Sequence, residues 1–141
     1  MRKMMKFYSV FVVFWLGLAL AACSTVSESA LRGTSWKLTE LAGLPVLTDS
    51  TPTLLFEDEH VGGNTSCNSF SGTYQMSAEK LTFGELASTM MACLEPSVME
   101  QESAYLAALS RSATFQLDDE ALRLYNSTGQ LLATFTLMVG E

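Results

Sequence analysis

The 141-residue chain is poor in the groups that carry most enzyme chemistry. It has one histidine, His60, three cysteines and three prolines. A hydrolase needs a nucleophile, a base and an orienting group. His60 stands in Glu57-Asp58-Glu59-His60-Val61, which reads as a turn between strands, and no serine lies in a nucleophile-elbow pattern. Asp58, Glu59 and His60 are plausible metal ligands in type but stand alone. No cysteines follow C-x-x-C spacing, so a structural zinc site lacks support. There is no glycine-rich phosphate loop and no dinucleotide fingerprint. These absences point to a non-enzyme without metal or cofactor. The apolar stretch ahead of Cys23, residues 7–22, holds 16 residues. That is short of the roughly 20 a membrane-spanning helix needs.

What is present at that end is an export signal. Arg2, Lys3 and Lys6 make a basic start, and Phe11-Val12-Val13-Phe14-Trp15-Leu16 lies in the apolar middle. Leu20-Ala21-Ala22-Cys23 closes it with small residues before a cysteine, the shape a lipoprotein peptidase accepts. Residues 1–22 are therefore expected to be removed as a lipoprotein signal peptide. Cys23 is expected to become the lipidated first residue, anchored to the membrane by its acyl chains; two or more chains anchor stably where one does not. Residues 23–31 then form the lipidated cysteine and a flexible tether, spanning on the order of 15 Å. Residues 32–141 form the domain. Ser24 rather than Asp after the acylated cysteine favours the outer membrane, facing the periplasm, in a Gram-negative host.

Loss of residues 1–22 leaves 119, enough for one ordinary core. The signal holds three of the eight basic residues and none of the fifteen acidic ones. Five basic against fifteen acidic residues remain, a formal charge of −10. Such a surface repels phosphate backbones, so no nucleic-acid partner is expected. It is permissive of basic partners. Cys67 and Cys93 are an even pair in an oxidising compartment, which suggests a disulfide. Two buried free thiols are the alternative.

The mature pattern is mostly β. Trp36-Lys37-Leu38-Thr39-Glu40-Leu41 alternates apolar and polar, as a half-buried strand does. Gly43 and Pro45 break it. Thr53-Leu54-Leu55-Phe56 reads as a second strand and Val61 opens a third. Phe70, Gly72, Tyr74 and Met76 share one face of a fourth, and Leu81-Thr82-Phe83 is a short fifth. Ser97-Val98-Met99-Glu100 has capping-box spacing. Val98, Met99, Glu102, Tyr105, Leu106 and Leu109 then make one mostly apolar helical face, with Pro96 at its start. Thr114–Leu117, Leu122–Tyr125 and residues 130–137 form a meander joined by polar turns. The expected fold is α+β, mainly antiparallel β: a strongly curled or barrel-like sheet with one α-helix packed on it. A monomer is expected.

The segment from Gly62 to Gly72 is the most distinctive. Its glycines permit bulges, and Asn64 and Asn68 can form Asx turns. A kinked strand pair placing Cys67 opposite Cys93 is the preferred reading. A recognition surface is the other, built from Asn68, Ser69 and Phe70 with Thr89, Met90 and Met91. Adjacent methionines give adaptable apolar surface, though more often they fill a core.

The chain resembles the META-domain family of the heat-shock protein HslJ type. The matching stretches are Gly33-Thr34-Ser35-Trp36-Lys37-Leu38 and Cys67-Asn68-Ser69-Phe70-Ser71-Gly72-Thr73-Tyr74. Leu81-Thr82-Phe83-Gly84 with Ala87-Ser88-Thr89-Met90-Met91-Ala92-Cys93 is the most specific. Glu102–Leu109 and Gly129–Phe135 complete a likeness over residues 33–137. Ser66 stands where the family carries a glycine before Cys-Asn. The resemblance implies a β-rich envelope protein linked to heat-shock response and novobiocin resistance, without agreed catalytic residues. A partner is then expected among envelope proteins or cell-wall components. Two other functions fit the composition: an acidic inhibitor of a basic hydrolase such as lysozyme, and a small-ligand-binding module using the barrel interior.

Overall fold

The computed structural model describes residues 29–139. The expected signal peptide, the lipidation at Cys23 and the first part of the tether lie outside the described residues. Ten strands and one helix follow one another. They are β1 (Ser35–Leu41), β2 (Leu44–Pro45), β3 (Thr53–Phe56), β4 (His60–Asn64), β5 (Ser69–Ser77), β6 (Lys80–Phe83) and β7 (Ala87–Ser88), then α1 (Pro96–Ser110), β8 (Thr114–Leu117), β9 (Ala121–Tyr125) and β10 (Leu131–Leu137).

Eight of the strands close on themselves in the order β1-β3-β4-β5-β6-β8-β9-β10, and β10 pairs back onto β1 through Trp36↔Leu137 to Leu41↔Ala133. Every pairing is antiparallel. Closure removes the exposed edges that an open sheet would leave for aggregation. The two short strands were not foreseen. Each continues a ladder that a longer neighbour leaves unfinished: β2 extends beyond β3 along β1, and β7 beyond β6 along β5. The thinnest seam is between β6 and β8. It consists of Lys80↔Thr114, with Leu81 N–H donating to Ala113 O (3.1 Å) and Phe115 N–H to Glu79 O (2.9 Å).

Alternation along the strands turns one row of side chains inward. Trp36 and Leu38, Leu54 and Phe56, Phe70 and Tyr74, and Leu122 and Leu124 are buried there with Val61, Leu81, Phe115 and Phe135. Each fully buried Leu or Phe contributes about 1.5–3 kcal/mol. Phe56 meets Tyr74 edge to face at 4.9 Å, and the Tyr74 hydroxyl donates to Glu57 O and Asp58 O, fastening the β3–β4 turn. Leu31, assigned to the tether, is fully buried, and Gly33 N–H donates to Phe56 O. The domain therefore takes hold one residue earlier than the expected boundary at 32.

The helix covers a mouth of the barrel. Tyr105 on α1 packs against Phe70 of β5 (5.7 Å between ring centroids) and Phe135 of β10 (6.0 Å). Those strands are four places apart by either route around the ring, so a side chain touching both lies across the opening. The Tyr105 hydroxyl donates to Thr53 O at 3.0 Å. Gly63 explains how that carbonyl comes so close: a Cβ there would fall on Thr53 O and press on the Phe70 ring. Tyr105, Ala108 and Leu109 form the buried stripe of α1.

The helix opens at Pro96, as expected, but without the expected capping box. Ser97 makes no capping box; Glu95 is the N-cap, without a side-chain cap bond, and Pro96 opens the helix. Proline has the right φ for the first helical position and no N–H to leave unsatisfied, so Ser97 falls at the second helical position rather than at the cap.

Candidate binding surface around the Cys67–Cys93 bridge

Cys67 and Cys93 are joined, with Cα atoms 5.9 Å apart across a separation of 26 residues. This is the expected pair. The bridge ties the β4–β5 connection to the segment between β7 and α1. A second fastening lies beside it. Asn68 is only 2% exposed and uses its whole side-chain amide. Its Oδ1 accepts from Met91 N–H (2.8 Å) and from Thr89 Oγ1 (2.8 Å). Its Nδ2 donates to Met91 O (3.2 Å) and to both carboxylate oxygens of Glu102 (3.0 Å each). An amide has two donors and two acceptor sites, and all are filled here. Asn68 thus acts as a strand partner for the backbone of Met91 while reaching α1.

Thr65, fully buried, completes the group. Its hydroxyl donates to Glu102 and accepts from Asn68 N–H at 3.0 Å, and its backbone N–H donates to Asn68 O at 2.7 Å. The preceding residue of α1, Gln101, accepts from Leu47 N–H (2.8 Å) and donates to Ser50 Oγ. Successive polar residues on α1 therefore tie the helix to two loops. Every buried side-chain nitrogen and oxygen among the described residues has a hydrogen-bond partner.

The six residues of the candidate interaction surface separate by burial. Asn68 and Phe70, at 2% and 4% exposed, are interior: the first is the clamp just described and the second packs on Tyr105. They are corrected from surface to core: β5 turns Phe70 toward the helix, and Asn68, just before β5, is held inward by Met91 and Glu102. Ser69 and Thr89 are exposed but hold each other, Ser69 N–H to Thr89 Oγ1 at 3.1 Å and Thr89 N–H to Ser69 O at 3.0 Å. Met90 (96% exposed) and Met91 (61%) do stand in solvent. Leu94 (98%), not singled out from sequence, and Met99 (47%), expected on the apolar face of the helix, join them. Glu102 was noted only as a charged residue on an apolar helical face. That misfit was the available signal of a buried polar clamp.

Ser66 has φ +87°, in the left-handed region that favours glycine. The departure from the family's glycine thus falls where the backbone asks for one. Asn64 Oδ1 accepts from Ser66 N–H at 2.6 Å, and the Ser66 hydroxyl pairs with Ser50 at 2.5 Å; these contacts hold the serine there. His60 is exposed on β4 and takes no part in this group. Among the described residues no three His, Cys, Asp or Glu side chains gather as metal ligands.

These features define a small helix-capped antiparallel β-barrel whose helix is pinned by one disulfide and one asparagine clamp. The chain belongs to the META-domain family, whose family model matches residues 29–138. It is 30% identical over 139 residues to heat shock protein HslJ of Escherichia coli K12, covering 94% of this chain and 96% of that one. Among solved structures it is similar to a protein determined by NMR (28% identity, TM-score 0.65, 79% of this chain and 95% of that chain). A second NMR structure, of a Burkholderia xenovorans protein, has 28% identity and a TM-score of 0.63 over 80% and 87%. A Bacteroides vulgatus protein of the DUF4847 family shares the fold alone, at 14% identity and a TM-score of 0.62 over 81% and 99%.

Proposed function

We propose that the chain is a non-enzymatic lipoprotein of the bacterial envelope, anchored through Cys23, that supports envelope stress tolerance, including tolerance of novobiocin. The observation that carries this reading is full-length kinship with heat shock protein HslJ, combined with an export signal ending in Leu20-Ala21-Ala22-Cys23. The domain supports a binding rather than a catalytic role, since its most elaborate polar cluster is used up in holding α1 and the 89–95 segment. The expected partner is an envelope protein or a cell-wall component. Deleting the gene and measuring novobiocin sensitivity and outer-membrane permeability under heat tests the role. Unchanged values would reject it. Labelling with a palmitate analogue, lost on Cys23→Ser, tests the anchor, and density-gradient fractionation tests delivery to the outer membrane.

The charge of −10 favours a second reading, an inhibitor of a basic hydrolase, which a lysozyme pull-down at low salt would test. The small-ligand reading loses its support, because Trp36, Phe56 and the inward leucines occupy the barrel that a ligand would need.

A further inference from the structure

Three shallow grooves run together across one face of the protein. The first, about 410 Å³, is lined by Leu47, Asp49, Glu95 and Val98 among others. The second, about 320 Å³, shares Glu95 and Val98 with it and adds Met91, Leu94 and the disulfide. The third, about 310 Å³, shares Met91 and Ala92 with the second and adds Met90, Met99, Glu102 and Leu106. Because neighbouring grooves share lining residues, they form one track from the loop after β2, over the bridge, to the middle of α1.

Two properties of the track point to its occupant. Its apolar lining is exposed: Met90 at 96%, Leu94 at 98%, Met91 at 61% and Met99 at 47%. Its charged lining is of one sign. Asp49, Glu95 and Glu102 line it, and no lysine, arginine or histidine does. The basic residues of the domain lie elsewhere, with Arg32 beside Asp58 (3.6 Å) and Arg123 on Asp118 (2.8 Å). We propose that this face docks a basic amphipathic peptide segment, with apolar anchors on one side and lysine or arginine on the other.

The chemistry matches on each count. Unbranched methionines adapt to anchors of different shape, which suits an apolar groove that accepts a helical segment. Acidic rims steer a cationic segment and set its orientation, and a lining of one sign repels a second copy of this chain or an anionic lipid surface. The disulfide and the Asn68 clamp hold the backbone at 91–93 before the partner arrives, so less ordering entropy is lost on docking. The apolar contacts supply most of the affinity, because exposed charges are screened beyond about 8 Å at physiological salt. The proposal stands on this face alone and survives a chain with no part in novobiocin tolerance.

The test uses the full chain in an uncharged detergent and a fluorescent peptide of about 18 residues, with leucine and lysine at helical spacing. Three comparisons are needed: the same peptide with glutamate for lysine, one with serine for leucine, and a protein-free detergent blank. Saturable binding of the leucine–lysine peptide is expected, weakening as salt rises. Binding should fall about tenfold in a Met90→Ser/Met91→Ser/Leu94→Ser variant whose unfolding midpoint is unchanged. Glu95→Gln should flatten the salt dependence. No binding above the blank at low salt overturns the proposal. So does equal binding of the serine–lysine peptide together with an unaffected triple variant, since charge alone would then be at work. Sedimentation showing a dimer that the triple variant dissolves would assign the face to a second copy instead.

Discussion

Asn68 and Glu102, 34 positions apart, meet through one amide nitrogen and both carboxylate oxygens at 3.0 Å. The pair is half of the fastening that keeps α1 over the barrel mouth, and its geometry makes substitutions unequal. Asn68→Ala leaves Met91 N–H, Met91 O and part of Glu102 without partners. It should cost about 2–4 kcal/mol, at roughly 1–3 kcal/mol for each buried group abandoned. Asn68→Asp keeps the shape but replaces two donors with a second carboxylate against Glu102. Two carboxylates in one site push one of them to a raised pKa. A group whose folded pKa is raised contributes stability that is lost as pH rises through that value. Asn68→Asp should therefore be less stable than Asn68→Ala at pH 7 and recover toward pH 4. Urea midpoints across that range check it, and an Asp variant insensitive to pH would refute the arrangement.

At Ser66 the backbone and the side chain make opposite demands. Its φ of +87° costs a non-glycine residue about 1–2 kcal/mol, while its hydroxyl bonds to Ser50. Ser66→Ala and Ser66→Gly both remove the hydroxyl, and only glycine relieves the backbone. Ser66→Gly should thus be more stable than Ser66→Ala by about 1 kcal/mol, read from paired denaturation curves. Equal stabilities would mean that the left-handed conformation carries no strain.

The Cys67–Cys93 bridge closes a loop of 26 residues, for which the chain-entropy model gives about 3 kcal/mol. Cys67→Ala/Cys93→Ala should lose that amount. The barrel should persist, because none of the eight-strand closure passes through the bridge. Hydrogen exchange should quicken first at 89–95 and at the start of α1. The cost of Asn68→Ala should also change when the bridge is absent, because both fasten the same segment, and a double-mutant cycle measures that coupling.

Strands with clean alternation, such as Trp36-Lys37-Leu38 and Leu122-Arg123-Leu124, were legible because burial of one face writes itself into a period of two. The disulfide was legible for a simpler reason: with Cys23 assigned to lipid, only one pair remained. The closure of β10 onto β1 was not, since pairing between residues about 95 positions apart leaves no local pattern. Nor was the split of Asn68, Phe70, Met90 and Met91 into interior and surface. Burial there depends on α1 lying over β5, and a polar residue such as Asn68 becomes core only when Met91 and Glu102 arrive to satisfy it. The helix entry at Pro96 was legible, but the capping box read from Ser97 to Glu100 does not form, because Pro96 takes the first helical position and puts Ser97 inside the helix.

Alkaline stability depends on the buried tyrosines. Tyr105 is fully buried between Phe70 and Phe135, and desolvation pushes its phenol well above the ordinary value of 10. An unfolded tyrosine ionises from about pH 10, and the folded one resists. The folded state thus holds a proton that the unfolded state releases, so this contribution is complete below pH 10 and declines as pH rises above it. Tyr74 moves in the same direction, chiefly through burial, and adds to the decline. Tyr105→Phe removes the titration and with it the hydroxyl on Thr53 O. At neutral pH it should cost about 1–2 kcal/mol for the lost bond and the carbonyl left buried. Above pH 10 its stability should fall less steeply than that of the parent chain, so the two curves converge. Guanidinium denaturation at pH 7, 9, 10 and 11 measures both effects together. Parallel curves would show that Tyr105 ionises as freely in the folded barrel as in water, and its placement across the mouth would then be wrong.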